Sequence, residues 1–321
     1  FSSPTFPTNQ LANGILQKDF DELLLSEEKP FFNRALKGRY PPASAIKPAI
    51  AMYGIEEGLI DWNFSIFDEG FFTLPEDGRI YRDWKEGGHG NTNLFKAITQ
   101  SSNTYFFDLA YRSDINQLNK HLLSLGFGDK TCIDCFEEDK VFVPEPSWKM
   151  NKHNFGWFKG DTVNMGVGQG YLVSTPVQLA KYAYIMANKG KFFDLSLKKG
   201  LVKSEKSIEF NKFSNDDWFK LHESMINVIE GNTGTARRLR EKKNYIVAAK
   251  TGTAELVSGD NREQYSETRL DDNLRDHALI IAFGPMPNPR YAVSVVVENG
   301  ESGGSVAGPV AISVLNSLIQ E

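Results

Sequence analysis

A serine and a lysine three residues apart open an apolar stretch of the chain, at Ser44 and Lys47. The apolar spacing predicts a helix from Ser44 to about Leu59. Because residues i and i+3 share a helix face, the Lys47 amine can reach the Ser44 hydroxyl. A buried lysine has a lowered pKa and can act as a general base toward that hydroxyl. The pair therefore has the chemistry of an activated nucleophile, and the helix N-terminus favours a developing oxyanion.

The same Ser-x-x-Lys spacing occurs twice more, at Ser26/Lys29 and Ser196/Lys199. A tetrad of this kind arises by chance in a chain of this length, so its surroundings must decide its meaning. Both additional tetrads lie in charged stretches that are typical of solvated surface. Only Ser44 opens an apolar helix, and we therefore assign the nucleophile to Ser44.

A second polar motif, Ser101-Ser102-Asn103, lies between predicted helices at 93–100 and 103–111. Taken alone it is typical of a helix cap, because a serine side chain accepts hydrogen bonds from the first turn of a helix. Its meaning depends on the motifs around it.

A third motif, Lys250-Thr251-Gly252-Thr253, follows the predicted strand 245–249. A glycine in a strand lets a ligand backbone approach closely. One lysine and two hydroxyls beside it form a row that suits a carboxylate on an extended peptide.

The elements that must position these motifs change along the chain. Helical patterns also cover 114–125, 175–190 and 215–230, whereas 61–90 reads as loops and short strands and 127–170 as irregular. Two further strands at 277–283 and 291–297 precede a final helix at about 307–320. Helices in the middle followed by strands and a returning helix predict an α+β domain.

Composition sets broad limits. The chain has 321 residues, 40% of them hydrophobic, and a formal net charge of −5, which excludes a disordered chain and argues against a nucleic-acid partner. No apolar run is long enough to span a membrane. The chain begins with Phe1 rather than Met, so we expect a piece of a longer protein.

In this order along the chain, the three motifs resemble those of the serine penicillin-recognising enzymes. Further stretches resemble the elongation-type class B penicillin-binding proteins, the penicillin-binding protein 2 family, over essentially the whole chain. They are Phe32-Asn33-Arg34-Ala35, Tyr40-Pro41-Pro42-Ala43-Ser44, Tyr81-Arg82-Asp83-Trp84, Gly88-His89-Gly90, Gly166-Val167-Gly168-Gln169-Gly170-Tyr171 and Arg275-Asp276-His277.

The resemblance implies a fold and a domain division. The fold is the β-lactamase-like arrangement, an antiparallel sheet flanked by helices beside an all-helical lobe. Residues 44–321 would form the transpeptidase domain, and residues 1–43 a lead-in from the end of a removed pedestal region. Ala43 departs from the family pattern, since glycine is common at that position.

The resemblance also implies an activity, peptidoglycan D,D-transpeptidation during cell elongation, with no cofactor required. Ser44 would attack the D-Ala-D-Ala carbonyl while Lys47 takes its proton, and the backbone N–H groups of Ser44 and Thr253 would form the oxyanion hole. A neighbouring stem peptide would then resolve the acyl-enzyme, whereas β-lactams would leave Ser44 acylated.

The remaining site residues receive roles by the same resemblance. Ser101 would relay a proton to the leaving D-alanine, and Asn103 would hold the donor amide. The terminal carboxylate would be bound by Lys250, Thr251, Gly252 and Thr253.

Two other functions stay open. A serine β-lactamase needs a base that activates water for deacylation, and the sequence offers no clear candidate. A β-lactam sensor acylates once and signals, but sensors lack the elongation-type loop motifs found in this chain.

Partners and location follow from the resemblance as well. The partners would be stem peptides, β-lactams, a SEDS-type glycan polymerase and other elongation-complex proteins. The enzyme would act at the periplasmic face of the bacterial inner membrane, held by an anchor outside this sequence.

A structural zinc is held in some relatives at the position of Asp68, Asp83 and His89. The fourth ligand would be a cysteine, but Ser102 stands there, and a site with three ligands would be weak. We favour hydrogen-bonded loop residues over a metal.

The cysteines are Cys132 and Cys135. A four-thiolate metal site cannot form from this single pair. A local disulfide and two half-buried thiols both stay open, and we expect the thiols.

Overall fold

A computed structural model of the chain describes residues 1–201, 204–256 and 274–320. Its helices are α1 Thr8–Asn13, α2 Gln17–Leu25, α3 Arg34–Lys37, α4 Lys47–Glu56, α5 Leu94–Gln100, α6 Asn103–Arg112, α7 Ile115–Ser124, α8 Pro146–His153, α9 Lys159–Gly166, α10 Pro176–Ala187, α11 Asn215–Glu230 and α12 Gly308–Gln320. The strands are β1 Ser65–Asp68, β2 Phe71–Thr73, β3 Ile80–Arg82, β4 Gly90–Asn93, β5 Lys191–Phe192, β6 Lys206–Ser207, β7 Ala248–Ala254, β8 His277–Gly284 and β9 Tyr291–Val297.

The largest sheet is antiparallel, with strand order β7-β8-β9. Successive side chains of β8 point to opposite faces, and both faces are buried. One face packs with α10 and the helical core, and the other packs with α12. These faces carry Leu279, Ile281 and Phe283, and Ala278, Ile280 and Ala282, respectively. The predicted α+β fold, with an antiparallel sheet flanked by helices, is confirmed.

Helix α4 lies at the centre of the helical lobe. Every residue from Lys47 to Ile55 is buried, so the helix has no polar face. A helix that is apolar all round must be enclosed by other elements, and α4 packs against α5, α6 and α7. The sequence thereby carries Lys47 into the core at the first position of the helix.

Three predicted elements differ from the structure. The helix expected from Ser44 is a 3₁₀ turn at Ala43–Ile46 followed by α4. The strand expected at 245–249 is displaced to β7, because its ladder with β8 continues to the pair Ala254↔His277 through residues that are not apolar. The segment 127–170 contains α8 and α9, which are eight residues long each, rich in polar residues and therefore without a clear apolar period.

The segment before Ser44 contacts the end of β9. The Arg34 guanidinium pairs with the Glu298 carboxylate at 2.8 Å, and the Tyr40 hydroxyl donates to the same carboxylate at 2.7 Å. Tyr40 also forms a backbone bridge with Ser174. Residues 34–40 are therefore tied to the body that carries the motifs.

Cys132 and Cys135 are joined by a disulfide. The expectation of two free thiols is therefore wrong; both residues sit in one loop, within reach of each other. Across residues 1–201, 204–256 and 274–320, none of the helices combines the length and apolarity that a membrane crossing requires.

Candidate active site

Ser44 lies on the 3₁₀ turn that leads into α4, and it is half-buried. The turn is held by the loop after α9: the Ala43 N–H donates to the Gly168 carbonyl at 2.9 Å. A side chain at position 168 would meet the Ala43 carbonyl at 2.2 Å, so glycine is required there. Ala43 itself adopts φ +48°, which explains why glycine would also suit that position.

Lys47 donates three hydrogen bonds from a fully buried amine. Its Nζ lies 2.8 Å from the Ser101 carbonyl, 2.7 Å from Asn103 Oδ1 and 3.4 Å from Ser101 Oγ. Among the described residues no hydrogen bond joins Lys47 Nζ to Ser44 Oγ. Burial lowers the pKa of Lys47 to about 7, against the raising effect of nearby carboxylate charges. The amine can therefore be neutral, and basic, near neutral pH.

The Ser101–Asn103 turn connects α5 to α6. Ser101 ends α5 in the left-handed conformation, with φ +60°. Ser102 caps α6, because its Oγ accepts a hydrogen bond from the Tyr105 N–H at 3.2 Å. The cap predicted from the sequence is thus present, and it turns the side chains of Ser101 and Asn103 toward Lys47.

Lys250 reaches the same turn from β7. Its Nζ is buried and donates to Ser101 Oγ at 2.8 Å. Burial lowers its pKa well below the usual lysine value, and the charge of Lys47 lowers it further. Ser101 Oγ therefore stands between two lysine amines.

The rest of the Lys-Thr-Gly motif borders the Ser44 turn. A Cβ at Gly252 would lie 3.2 Å from the Pro42 carbonyl and 3.3 Å from the Ala45 nitrogen, so the strand passes directly against the turn. Thr251 is buried, whereas Thr253 is exposed. The structure thus brings the eight predicted residues together on three adjoining segments, the Ser44 turn with Lys47, the Ser101–Asn103 turn and strand β7; their individual roles stay predictions.

The candidate metal ligands Asp68, Asp83 and His89 also meet, with donor atoms within 4.8 Å of one another. Their carboxylates contact the Ser101–Asn103 turn through its backbone N–H groups and the Ser102 hydroxyl, whereas the lysines contact Ser101 and the Asn103 side chain. Asp83 Oδ2 accepts from the N–H groups of Asn103 at 2.6 Å and Thr104 at 3.0 Å.

The fourth position does not complete a structural zinc site. Ser102 Oγ donates to Asp68 Oδ2 at 2.7 Å while it accepts from Tyr105, so the hydroxyl is fully engaged. The His89 nitrogens face Asp83 Oδ1 at 3.2 Å and Gln100 Oε1 at 3.0 Å. Every donor of the set therefore has a partner within the protein, and a neutral hydroxyl replaces the thiolate that zinc prefers.

The sequence assigns no role to three residues that contact the motifs in the structure. Trp84 Nε1 donates to the Ser101 carbonyl at 3.2 Å, and Gln169 Nε2 donates to the Thr253 carbonyl at 3.3 Å. Thr235 Oγ1 lies 2.7 Å from Thr251 Oγ1. Trp84 and Gln169 stand in motifs that carry the family resemblance, which was their only signal. Thr235 follows Gly231 and Gly234, which do not by themselves indicate a role for the threonine.

A serine turn, a pair of buried lysines and a Lys-Thr-Gly strand in this arrangement are the features of a serine acyl-transfer enzyme. The chain belongs to the penicillin-binding protein transpeptidase domain family, whose model matches residues 1–316. The chain is 40% identical over 315 residues to the peptidoglycan D,D-transpeptidase MrdA of Acinetobacter baumannii, covering 95% of this chain and 46% of that protein.

Solved structures agree with this assignment. The crystal structure of Pseudomonas aeruginosa PBP2 in complex with WCK 5153 has a TM-score of 0.89 and 35% identity, over 100% of this chain and 68% of that one. The complex between PBP2 and MreC from Helicobacter pylori gives 0.87 and 30%, over 99% of this chain and 57% of that one. The chain spans about half the length of the MrdA relative that it matches.

Proposed function

We propose that this chain is the catalytic part of a peptidoglycan D,D-transpeptidase of cell elongation, which β-lactams inhibit by acylating Ser44. The observation that carries the proposal is the placement of Ser101 Oγ between Lys250 Nζ at 2.8 Å and Lys47 Nζ at 3.4 Å, beside the Ser44 turn. Two buried amines around one hydroxyl provide a path for a proton between nucleophile and leaving group.

Acylation begins when Ser44 Oγ attacks the carbonyl carbon between the two D-alanines, and the hydroxyl proton passes to neutral Lys47. The backbone N–H groups of Ser44 and Thr253 stabilise the oxyanion. The C–N bond then breaks, and the departing D-alanine amine receives a proton through the Ser101 hydroxyl. The products are a Ser44 ester and free D-alanine.

Deacylation reverses these proton movements. The amine of a second stem peptide attacks the ester carbonyl and loses a proton toward Lys47. The ester bond between the acyl carbon and Ser44 Oγ breaks, and the serine oxygen regains a proton. A new amide then links the two peptides. Atoms balance without any oxidant, reductant or cofactor.

Substrate binding falls to β7. The edge of this strand and the Asn103 amide would hold the extended donor peptide. The donor carboxylate meets Lys250, Thr251 and Thr253, and its negative charge favours the protonated form of Lys250. The Thr235 hydroxyl orients the Thr251 hydroxyl in this row.

The Asp68, Asp83 and His89 cluster has a structural role in this proposal, and it needs no metal. Its hydrogen bonds hold the backbone of Asn103 and the cap Ser102 in place. Elemental analysis of the purified protein should find no stoichiometric zinc.

Location and partners are proposed from the relatives. The enzyme would work at the periplasmic face of the inner membrane, where its stem-peptide substrates lie. PBP2 of Helicobacter pylori forms a complex with MreC. We propose an MreC-like protein of the elongation complex and a SEDS-type glycan polymerase as partners of the full-length protein.

Transpeptidation can be separated from its rivals by following the fate of bound substrate. With a D-Ala-D-Ala thioester analogue and an amine acceptor, we expect aminolysis product. With penicillin, we expect one slow acylation per molecule. Rapid penicillin turnover would support a β-lactamase instead, and acylation without any transfer to the acceptor would support a sensor.

A further inference from the structure

Trp84 is both exposed and bonded to the Ser101–Asn103 turn. The residue is 60% exposed, and its Nε1 donates a hydrogen bond to the Ser101 carbonyl at 3.2 Å. Lys47 Nζ donates to the same carbonyl oxygen at 2.8 Å. The carbonyl is therefore held from two sides, by the general base and by the indole.

The backbone around Trp84 is fixed by its neighbour. Asp83 is buried and accepts hydrogen bonds from the N–H groups of Asn103 and Thr104. The indole also packs against the His89 ring, with centroids 5.6 Å apart. The ring is thus held in one orientation beside the Ser101–Asn103 turn, so that ligand binding there would require little further ordering of this side chain.

Holding this carbonyl matters because of the conformation of Ser101. At φ +60° a residue with a side chain is strained, and such a turn persists only where its surroundings fix it. Losing one of two donors to the carbonyl would let the Ser101 hydroxyl move relative to Lys47 and Lys250.

We propose that Trp84 is a positioning residue for Ser101, and that the exposed face of its indole forms a wall of the donor-peptide site, against the aliphatic part of the stem peptide. The first role acts through the N–H group and the second through the ring. This inference rests on the proposed transpeptidase function, and it assigns separate kinetic consequences to the two parts of one side chain.

The test measures acylation by a chromogenic β-lactam and by a thioester donor, resolving the apparent dissociation constant from the first-order acylation rate constant. Trp84→Phe keeps a ring but removes the N–H, so we expect the rate constant to fall about tenfold with little change in the dissociation constant. Trp84→Ala should show the same fall and, in addition, a several-fold weaker dissociation constant for the thioester donor.

Phe67→Ala is the matched control. Phe67 is a 71% exposed aromatic side chain on β1 in the same region, and we expect neither constant to change. Circular dichroism and Tm establish that each variant is folded.

An unchanged acylation rate constant in Trp84→Phe would overturn the positioning role. Equal dissociation constants for Trp84→Phe and Trp84→Ala would overturn the ring contact. Failure of the wild-type protein to acylate would instead overturn the proposed function, so the two failures are distinguishable.

Discussion

Two buried polar clusters contact the Ser101–Asn103 turn, and they differ in charge and in the partners of their charged groups. The cationic cluster contains Lys47 and Lys250, and among the described residues neither lysine forms an ion pair. The anionic cluster contains Asp68 and Asp83, whose oxygens accept hydrogen bonds from backbone N–H groups, a serine hydroxyl and His89.

The pKa directions follow this difference. Burial lowers the pKa of both lysines, and for Lys47 to about 7, so that its neutral amine is accessible at physiological pH. Burial would raise the pKa of Asp83, but the hydrogen bond from His89, the charge of Lys47 and two backbone N–H groups hold it well below its usual range. We therefore expect the lysine cluster to be the reactive one, whereas Asp83 is held ionised by its hydrogen bonds.

Removing the base should have the largest effect on activity. In Lys47→Met, we expect acylation by penicillin to fall by about 10³-fold, since the proton acceptor for Ser44 is lost. We expect Tm to change by no more than about 4 °C, because the variant removes a buried cation that has no ion-pair partner. Stopped-flow kinetics measures the acylation rate, and differential scanning calorimetry measures the change in Tm. A folded variant with unimpaired acylation would show that the cationic cluster is not the reactive one.

The pH dependence of acylation should report the same cluster. Because the pKa of Lys47 is lowered to about 7, the amine is neutral above that pH and protonated below it. We expect the acylation rate constant to fall about tenfold per pH unit below 7 and to level off above it. The measurement covers pH 5 to 9, with circular dichroism as the control for folding. A flat profile would contradict the assignment of the base.

The anionic cluster should respond mainly in stability. Asp83→Asn removes a charge that is stabilised by the Asn103 and Thr104 N–H groups, and we expect a loss of about 3 kcal/mol in the free energy of unfolding. Asp77→Asn is the control, since Asp77 is exposed, and its variant should stay within about 0.5 kcal/mol. Urea unfolding measures both. Equal stability of the two variants would contradict the structural role of the cluster.

Substitution of Ser102, the capping residue of α6, should have the smallest effect on stability, but one substitution should change the metal content of the protein. Ser102→Ala should cost about 1 kcal/mol through loss of the helix cap. Ser102→Cys supplies a thiolate beside Asp68, Asp83 and His89, and we expect it to bind one zinc and to lose Tm when a chelator is added.

The matching wild-type measurement decides whether the cluster works without metal. We expect the wild-type protein to contain no stoichiometric zinc and to keep its Tm in chelator. Zinc in the wild-type protein, or a fall in its Tm on chelation, would overturn the metal-free proposal.

The sequence predicts well the elements that have a continuous apolar pattern, and less well the bounds of elements that lack one. Strand β9 and helix α11 appear with their predicted bounds, because their apolar residues pack against the core, half-buried in β9 and buried on one face of α11. Strand β7 was placed too early, since Thr251, Gly252 and Thr253 carry no apolar pattern and pair only because β8 lies beside them. The register of a strand is a tertiary property that one segment cannot encode alone.

The site also combines features that the sequence predicts with contacts that only the tertiary structure shows. Motif spacing predicted Ser44, Lys47 and Lys250 as site residues, since the expected chemistry restricts residue type at those positions. It did not reveal that Ser101 Oγ would stand between the two lysines, or that Trp84 would donate to the Ser101 carbonyl. Those contacts depend on how α5, α6 and β7 meet, which involves residues far apart in the chain.

The central claim is that Ser44 is the nucleophile that β-lactams acylate. The most direct test is peptide mapping by mass spectrometry after incubation with penicillin, which adds its whole mass because the opened ring has no leaving group. We predict one adduct, on the peptide that contains Ser44, and none on Ser26 or Ser196 or in the Ser44→Ala variant. An adduct on any other serine of the folded protein, or labelling that persists in Ser44→Ala, would contradict it.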